Sequence, residues 1–166
     1  TTVALVMGDA LAMALLEARG FTRDDFAVSH PGGQLGRRLL VKVKDVMHTG
    51  AEIPRVTAET ALTDALLEMS EKGFGLTTVV DDTGQLIGVF TDGDLRRVID
   101  SGRDIQATKI KDVMSSNYKF ISSSALAVEA AKLMQDSNVY VLIVQDEQSK
   151  LTGIVKMHDL LQANVV

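Results

Sequence analysis

The chain has 166 residues, 46% hydrophobic and 23% charged, with a formal net charge of -5, a globular mixture with room for one ordinary domain or two small ones. With no Cys it lacks disulfides, thiolate nucleophiles and cysteine-based zinc or iron-sulfur sites, and it suits a reducing compartment, so a cytoplasmic location is expected. No apolar run reaches the ~18 residues of a membrane span, no basic-then-apolar leader precedes the first helix, and the acidic balance argues against nucleic acid or an anionic membrane as partner.

Over residues 1–19, apolar residues at Val3, Val6, Met7, Ala10, Leu11, Ala14 and Leu15 recur at helical spacing and Gly20 stands where a C-terminal cap belongs. This predicts an amphipathic helix, and its start at the first residue without a cap suggests a chain cut from something longer. Thr22 and Asp25 form a capping box for a short second helix. Ser29, His30, Pro31, Gly32 and Gly33 then make an irregular turn. A further helical segment over residues 34–41 leads into a linker whose basic residues Arg37, Arg38, Lys42 and Lys44 read as a solvated face.

From Val43 onwards the chain contains one unit twice. The run K-D-V-M at 44–47 recurs at 111–114, an offset of 67, while Met69 and Met134, Asp81 and Asp146, Gly88 and Gly153, and Asp94 and Asp159 each stand 65 apart. Copy one is predicted to carry a helix over 61–72, strands over 76–80 and 86–90, and a helix over 92–99. Copy two is predicted to carry a helix over 125–135, strands over 140–145 and 151–155, and a helix over 158–163. Polar residues 100–108 connect them. A unit this short cannot bury both faces of its sheet alone, so the copies are expected to pack on each other about a pseudo-twofold axis with a cleft between them.

The D-V-M run, the V-V-D-D turn at 79–82 and G-V-F-T-D-G-D-L at 88–95, echoed by G-I-V-K-M-H-D-L at 153–160, resemble the signature of the cystathionine-β-synthase (CBS) domain. The resemblance implies an α/β (α+β) fold, a tandem pair of βαββα repeats at 43–100 and 109–166 that senses adenosine-type or other nucleotides in its cleft. The first 40 residues, M-G-D-A-L-A-M-A-L-L-E-A-R-G-F followed by S-H-P-G-G-Q-L-G-R-R-L, resemble the end of a sugar-isomerase (SIS) domain of the bacterial D-arabinose 5-phosphate isomerase family, making 1–41 a helical remnant of that domain. That family interconverts ribulose 5-phosphate and arabinose 5-phosphate on the way to the lipopolysaccharide sugar Kdo.

His30 is the candidate catalytic residue of the intact enzyme: the resemblance puts a catalytic histidine here, and an imidazole moves protons near neutral pH. On the residues alone, a single loop histidine is as readily structural. The lysine and glutamates that the family uses alongside it lie upstream of this sequence, so no isomerase activity is expected of the chain itself. For ligand binding the resemblance points to Thr91 for a phosphate, Asp94 for a ribose diol and the intervening Asp92, with Thr77, Thr78, Thr49, Ile53 and the residues between the last two lining the base side. The spacing of Thr91 and Asp94 equally describes a helix capping box. In copy two Lys156 replaces the threonine while Asp159 is retained, so the second site either meets phosphate through a cation or simply exposes a lysine. Aromatic residues make up only 4% of the chain, which supplies base stacking poorly.

Asp81 and Asp82 read as a hairpin turn and not a metal run. Met69, Met114 and Met134 are predicted to be core, and His158 a helix-start residue. His48 has no histidine or carboxylate partner at metal spacing, so neither metal nor resident cofactor is expected. The reading is a regulatory pair for a small-molecule nucleotide or nucleotide sugar, an adenine nucleotide or CMP-Kdo. The alternative is a structural oligomerisation module without a ligand. Either way a homo-oligomer is expected, a CBS-pair dimer within a tetrameric parent enzyme.

Overall fold

The computed structural model describes residues 2–22, residue 25 and residues 40–165, which fall into two units, Thr1–Leu40 and Val41–Val166. His30, Arg37, Arg38 and the turn at 29–33 lie outside the described residues. In the first unit, helix α1 (Thr2–Ala18) closes as predicted on Gly20 at φ +61°. Its expected amphipathicity is corrected: apolar residues run round the whole circumference with only Asp9 and Glu17 charged, and Val3, Leu5, Val6, Met7, Leu11 and Met13 are all exposed. The Thr22 capping box is present, with Thr22 N donating to Asp25 Oδ2 at 2.8 Å and Asp25 N to Thr22 Oγ1 at 3.2 Å.

The second unit is the doubled one. Its first copy runs β1 (Arg55–Thr57), α2 (Leu62–Lys72), β2 (Leu76–Val80), β3 (Leu86–Thr91) and α3 (Asp92–Asp100); its second runs β4 (Phe120–Ser122), α4 (Ala127–Ser137), β5 (Val141–Gln145), β6 (Leu151–Lys156) and α5 (Met157–Gln162). Each makes a three-stranded sheet whose first two strands are parallel and last two antiparallel. This is the expected pair of βαββα units. Helix α4 begins two residues later than the apolar pattern suggests because Leu126 is extended and its N–H donates to Glu129 at 2.9 Å. Helix α2 stops at Gly73 in the left-handed region and α4 at Asn138, φ 53°, the non-glycine type that tolerates this cap. Asp81 makes the predicted hairpin turn, its Oδ1 accepting from the N–H groups of Thr83 and Gln85, both at 2.9 Å.

Every residue of β2 is buried, since both faces of its sheet are covered. One face meets the other sheet: Leu76, Val80, Leu86 and Val89 pack with Ile143, Leu151, Ile154, Ile53 and Phe74. The opposite face meets the helices, with Val79 and Phe90 against Leu62, Ala65, Met69 and Val98. Met134 occupies the matching place in the second copy, and Met114 packs at the margin of the first copy's helix-facing core. Each such apolar side chain, taken fully out of water, contributes about 1.5–3 kcal/mol of transfer free energy, enough to hold together sheets that are too small alone.

The copies also exchange their leading segments. Val43, opening the short 3-10 turn Val43–Asp45, is buried in the core of the second copy, while Ile110 of the turn Ile110–Asp112 is buried in the first. His48 pairs with Ile154 of β6, and Ser115 pairs with Val89 of β3. The linear repeats are therefore not the packing units, and the leading runs, offset by 67 where the rest of the repeat keeps 65, pack each on the other copy.

Candidate functional site

A cavity of about 400 Å³ opens between the copies. The first copy supplies Phe74, Gly75 and Leu76 at the start of β2, and Thr91, Asp92 and Gly93 where β3 becomes α3. The second supplies Asn117, Tyr118 and Lys119 before β4, and Asn138, Val139 and Tyr140 before β5. The chain has two tyrosines, and both are here, beside Phe74. Aromatic residues are few, as composition indicates, but three of the seven, Phe74, Tyr118 and Tyr140, line this one cavity. Among the lining residues Lys119 is the one cation and Asp92 the one carboxylate.

Thr91 and Asp94 are brought together as a capping box at the start of α3. Thr91 Oγ1 donates to Asp94 Oδ2 at 2.7 Å, Thr91 N to the same oxygen at 2.9 Å, and Asp94 N to Thr91 Oγ1 at 3.3 Å. Asp94 is buried, and its other oxygen, Oδ1, pairs with Arg97. Asp92 N donates to Gly75 O at 3.1 Å, so two of the first three amides of α3 are already satisfied. Gly75, at φ +67°, is what lets the Asp92 carboxylate come so close: a Cβ there would stand 2.9 Å from Asp92 Oδ2. Thr91 and Asp92 line the cavity; Asp94 stands behind them and holds Thr91 in place.

The second cleft is built differently. Asp159 Oδ2 accepts from Lys156 N at 3.0 Å, repeating the cap, but its Oδ1 lies 3.2 Å from His48 Nε2. His48 Nδ1 lies 3.2 Å from Glu52 Oε2. The exchange of leading segments carries His48 onto the second copy and so gives it Asp159, a partner far away in the sequence, beside the nearby Glu52. The carboxylates sit on opposite ring nitrogens and do not converge, and among the described residues no group of three His, Asp or Glu is placed to hold a metal ion. The Phe74 ring meets His48 edge-on, centroids 5.1 Å apart, and Lys156 Nζ lies 5.0 Å from the Phe74 centroid. Lys156 is half-buried, so the plain exposed-lysine reading does not describe it.

The remaining candidates stand apart from the cavity. Thr78 Oγ1 donates to Pro54 O at 2.6 Å, and Thr77, completely buried, has a hydroxyl with no hydrogen-bond partner. Ile53 is in the core between the sheets and Thr49 is exposed beside the 3-10 turn Gly50–Glu52. His158 is the second residue of α5, bonded to Gln162 at 2.9 Å. Sequence reasoning missed Tyr118, Lys119, Asn138 and Tyr140. The signal available was their offset of 65 from the residues around Ile53 and Gly75, which places them opposite Thr91 once the copies face each other.

Two face-to-face βαββα units with exchanged leading segments place the chain in the CBS domain family, whose model matches residues 43–101 and 110–165. Its relatives include the arabinose 5-phosphate isomerases KdsD of Pseudomonas aeruginosa, 55% identical over 100% of this chain and 51% of that protein, and of Escherichia coli K12, 54% identical over 100% and 50%. The chain thus spans about half the length of the curated relatives it matches. Among solved structures it is similar to CBSX2 of Arabidopsis thaliana in complex with AMP, TM-score 0.65 at 26% identity over 74% of this chain and 95% of that one. A conserved protein from Pyrococcus horikoshii gives a TM-score of 0.66 at 26% identity over 74% and 91%. No described helix is long and apolar enough to cross a membrane.

Proposed function

We propose that this chain is the regulatory nucleotide-sensing CBS pair of a cytoplasmic D-arabinose 5-phosphate isomerase, with 43–100 and 109–166 as its CBS domains and 1–41 as the remnant of the SIS domain. The observation that carries the reading is the cavity between the copies, where both tyrosines and Phe74 offer faces for a base, Lys119 a charge for a phosphate, and Thr91 and Asp92 polar groups for a sugar. The kinship with KdsD and the likeness to an AMP complex support it. With one cation and one carboxylate at the rim, the cavity suits a ligand of low charge, AMP or CMP-Kdo, better than a triphosphate. The chain alone has no isomerase activity in this reading, His30 lacking its upstream partners.

Isothermal titration with AMP, ATP, CMP and CMP-Kdo tests it. Binding by a monophosphate or its sugar ester, weaker for ATP, is the expected result; no heat from any of the four overturns it. Measurable turnover of arabinose 5-phosphate by the chain would overturn the inactive-fragment reading. A second reading, an assembly module that pairs with a copy of itself, is favoured by the exposed Leu67, Ile99 and Leu161 on α2, α3 and α5. A monomer by light scattering removes it.

A further inference from the structure

We infer that the two clefts of the pair are functionally unequal because His48 acts as a latch across the second one, leaving a single open ligand site per chain; the inference rests on the nucleotide-sensing reading above. The argument compares positions that the repeat makes equivalent. His48 corresponds to Ser115, each the residue after a D-V-M run, and each makes the same backbone pairing, His48 with Ile154 and Ser115 with Val89. At the first cleft, where Thr91 and Asp94 stand, the opposing leading segment ends in the small Ser115 and the opposing loop presents Val139. At the second, where Lys156 and Asp159 stand, the opposing segment ends in His48 and the opposing loop presents Phe74. Two large rings thus occupy the place of a hydroxymethyl and an isopropyl group.

The rings also take up the polar groups a ligand would use. Asp159 has one oxygen on Lys156 N and the other 3.2 Å from His48 Nε2, so a sugar diol reaching this carboxylate would have to share it with the imidazole or displace the ring that covers it. The Lys156 ammonium rests over the Phe74 ring in place of an anion. Asp94 in the first cleft also has both oxygens engaged, but its second partner, Arg97, belongs to the same helix and its side chain is 71% exposed, free to swing into solvent. His48 is only 29% exposed. It is tied by its own N–H to Ile154 O at 2.8 Å and from Ile154 N to its O at 3.0 Å, and its ring is braced on Phe74. It leaves only if the segment moves.

Phe74 belongs to both places, lining the first cavity and carrying His48 and Lys156 on its ring. A ligand that shifts Phe74 in the open cleft therefore loosens the latch of the other, which gives the pair a physical route for coupling its two halves.

Exchanging the two equivalent residues tests the inference, with AMP and CMP as probes in calorimetry on this chain. The wild type should bind one ligand, His48→Ser two, and Ser115→His none or at least roughly tenfold more weakly. Two sites in the wild type, or one in His48→Ser, overturns the latch. A second measurement needs no ligand: modification by diethyl pyrocarbonate, located by mass spectrometry, should proceed roughly tenfold more slowly at His48 than at the exposed His158. Equal rates in the wild type overturn the latch even if nucleotides bind. Protection of His48 with no binding by any chain leaves the latch standing and overturns the nucleotide-sensing reading instead.

Discussion

The carbonyl oxygen of Ser115 lies 2.9 Å from where a Cβ on Gly88 would stand, and the sulfur of Met114 lies 3.2 Å from the same point. The glycine that opens the strand-to-helix motif is therefore there for the other copy's leading segment, which pairs with Val89 through Ser115. Gly88→Ala is expected to cost about 1–3 kcal/mol, because the obstructing atom is backbone and cannot rotate away. Gly153→Ala should behave alike, with His48 O at 2.9 Å. Urea unfolding checks this; two variants within about 0.3 kcal/mol of the wild type would mean that the leading segments sit more loosely than described.

Thr77 supports an opposite expectation. It is completely buried in β2, its hydroxyl has no partner, and its equivalent in the second copy is the fully buried Leu142. Thr77→Val keeps the β-branched shape and removes an unpaired polar atom, so it should raise stability by about 1 kcal/mol. A loss of stability in the same unfolding experiment would show that the hydroxyl finds a partner in solution.

How far such features can be seen in the sequence depends on their range. The 65-residue echo was enough to set β2, β3 and their counterparts within a residue or two, because those signals are local: an apolar run, an Asp-led turn, a capping aspartate. The exchange of leading segments was not legible, since Val43 looks equally at home beside either copy and only the packing decides. The same exchange carried His48 onto Asp159, 111 positions later in the sequence. Composition misled about the cavity, because a low aromatic content says nothing about whether Tyr118 and Tyr140 converge. Thr91 and Asp94 were legible as a pair, yet their spacing serves a cap and a ligand alike, and Asp94 is seen to spend both its oxygens within the protein.

That last arrangement makes Asp94 a stability residue whatever it binds. Asp94→Ala removes the acceptor of Thr91 N and Oγ1 and the partner of Arg97, and should cost about 1–3 kcal/mol. Asp94→Asn, which retains an acceptor for the cap, should cost clearly less. Equal losses, read by thermal unfolding at neutral pH, would mean that charge and not capping governs the site.

Glu59 ties the exchanged segment to the first copy, and its effect should depend on pH. Its two carboxylate oxygens each lie 2.6 Å from an ammonium, Lys109 and Lys111, whose hydrogen bonds lower its pKa from 4.5 to about 2 and raise that of Lys111. The carboxylate thus binds its proton less readily in the folded chain than in the unfolded one. The stabilisation is accordingly complete above the unfolded value and disappears as pH falls from about 4.5 to about 2. The group is exposed, so the effect is small and screened by salt. Comparing urea midpoints of the wild type and Glu59→Gln between pH 2 and pH 7 should show a constant wild-type advantage above roughly pH 5. That advantage should shrink below it and narrow further in about 1 M NaCl. Ser124 holds the equivalent place beside Lys42 and Lys44, so Ser124→Glu should create a second such advantage with the same pH profile. A difference between wild type and Glu59→Gln that persists unchanged to pH 2 would show that Glu59 acts there through packing and not through its charge.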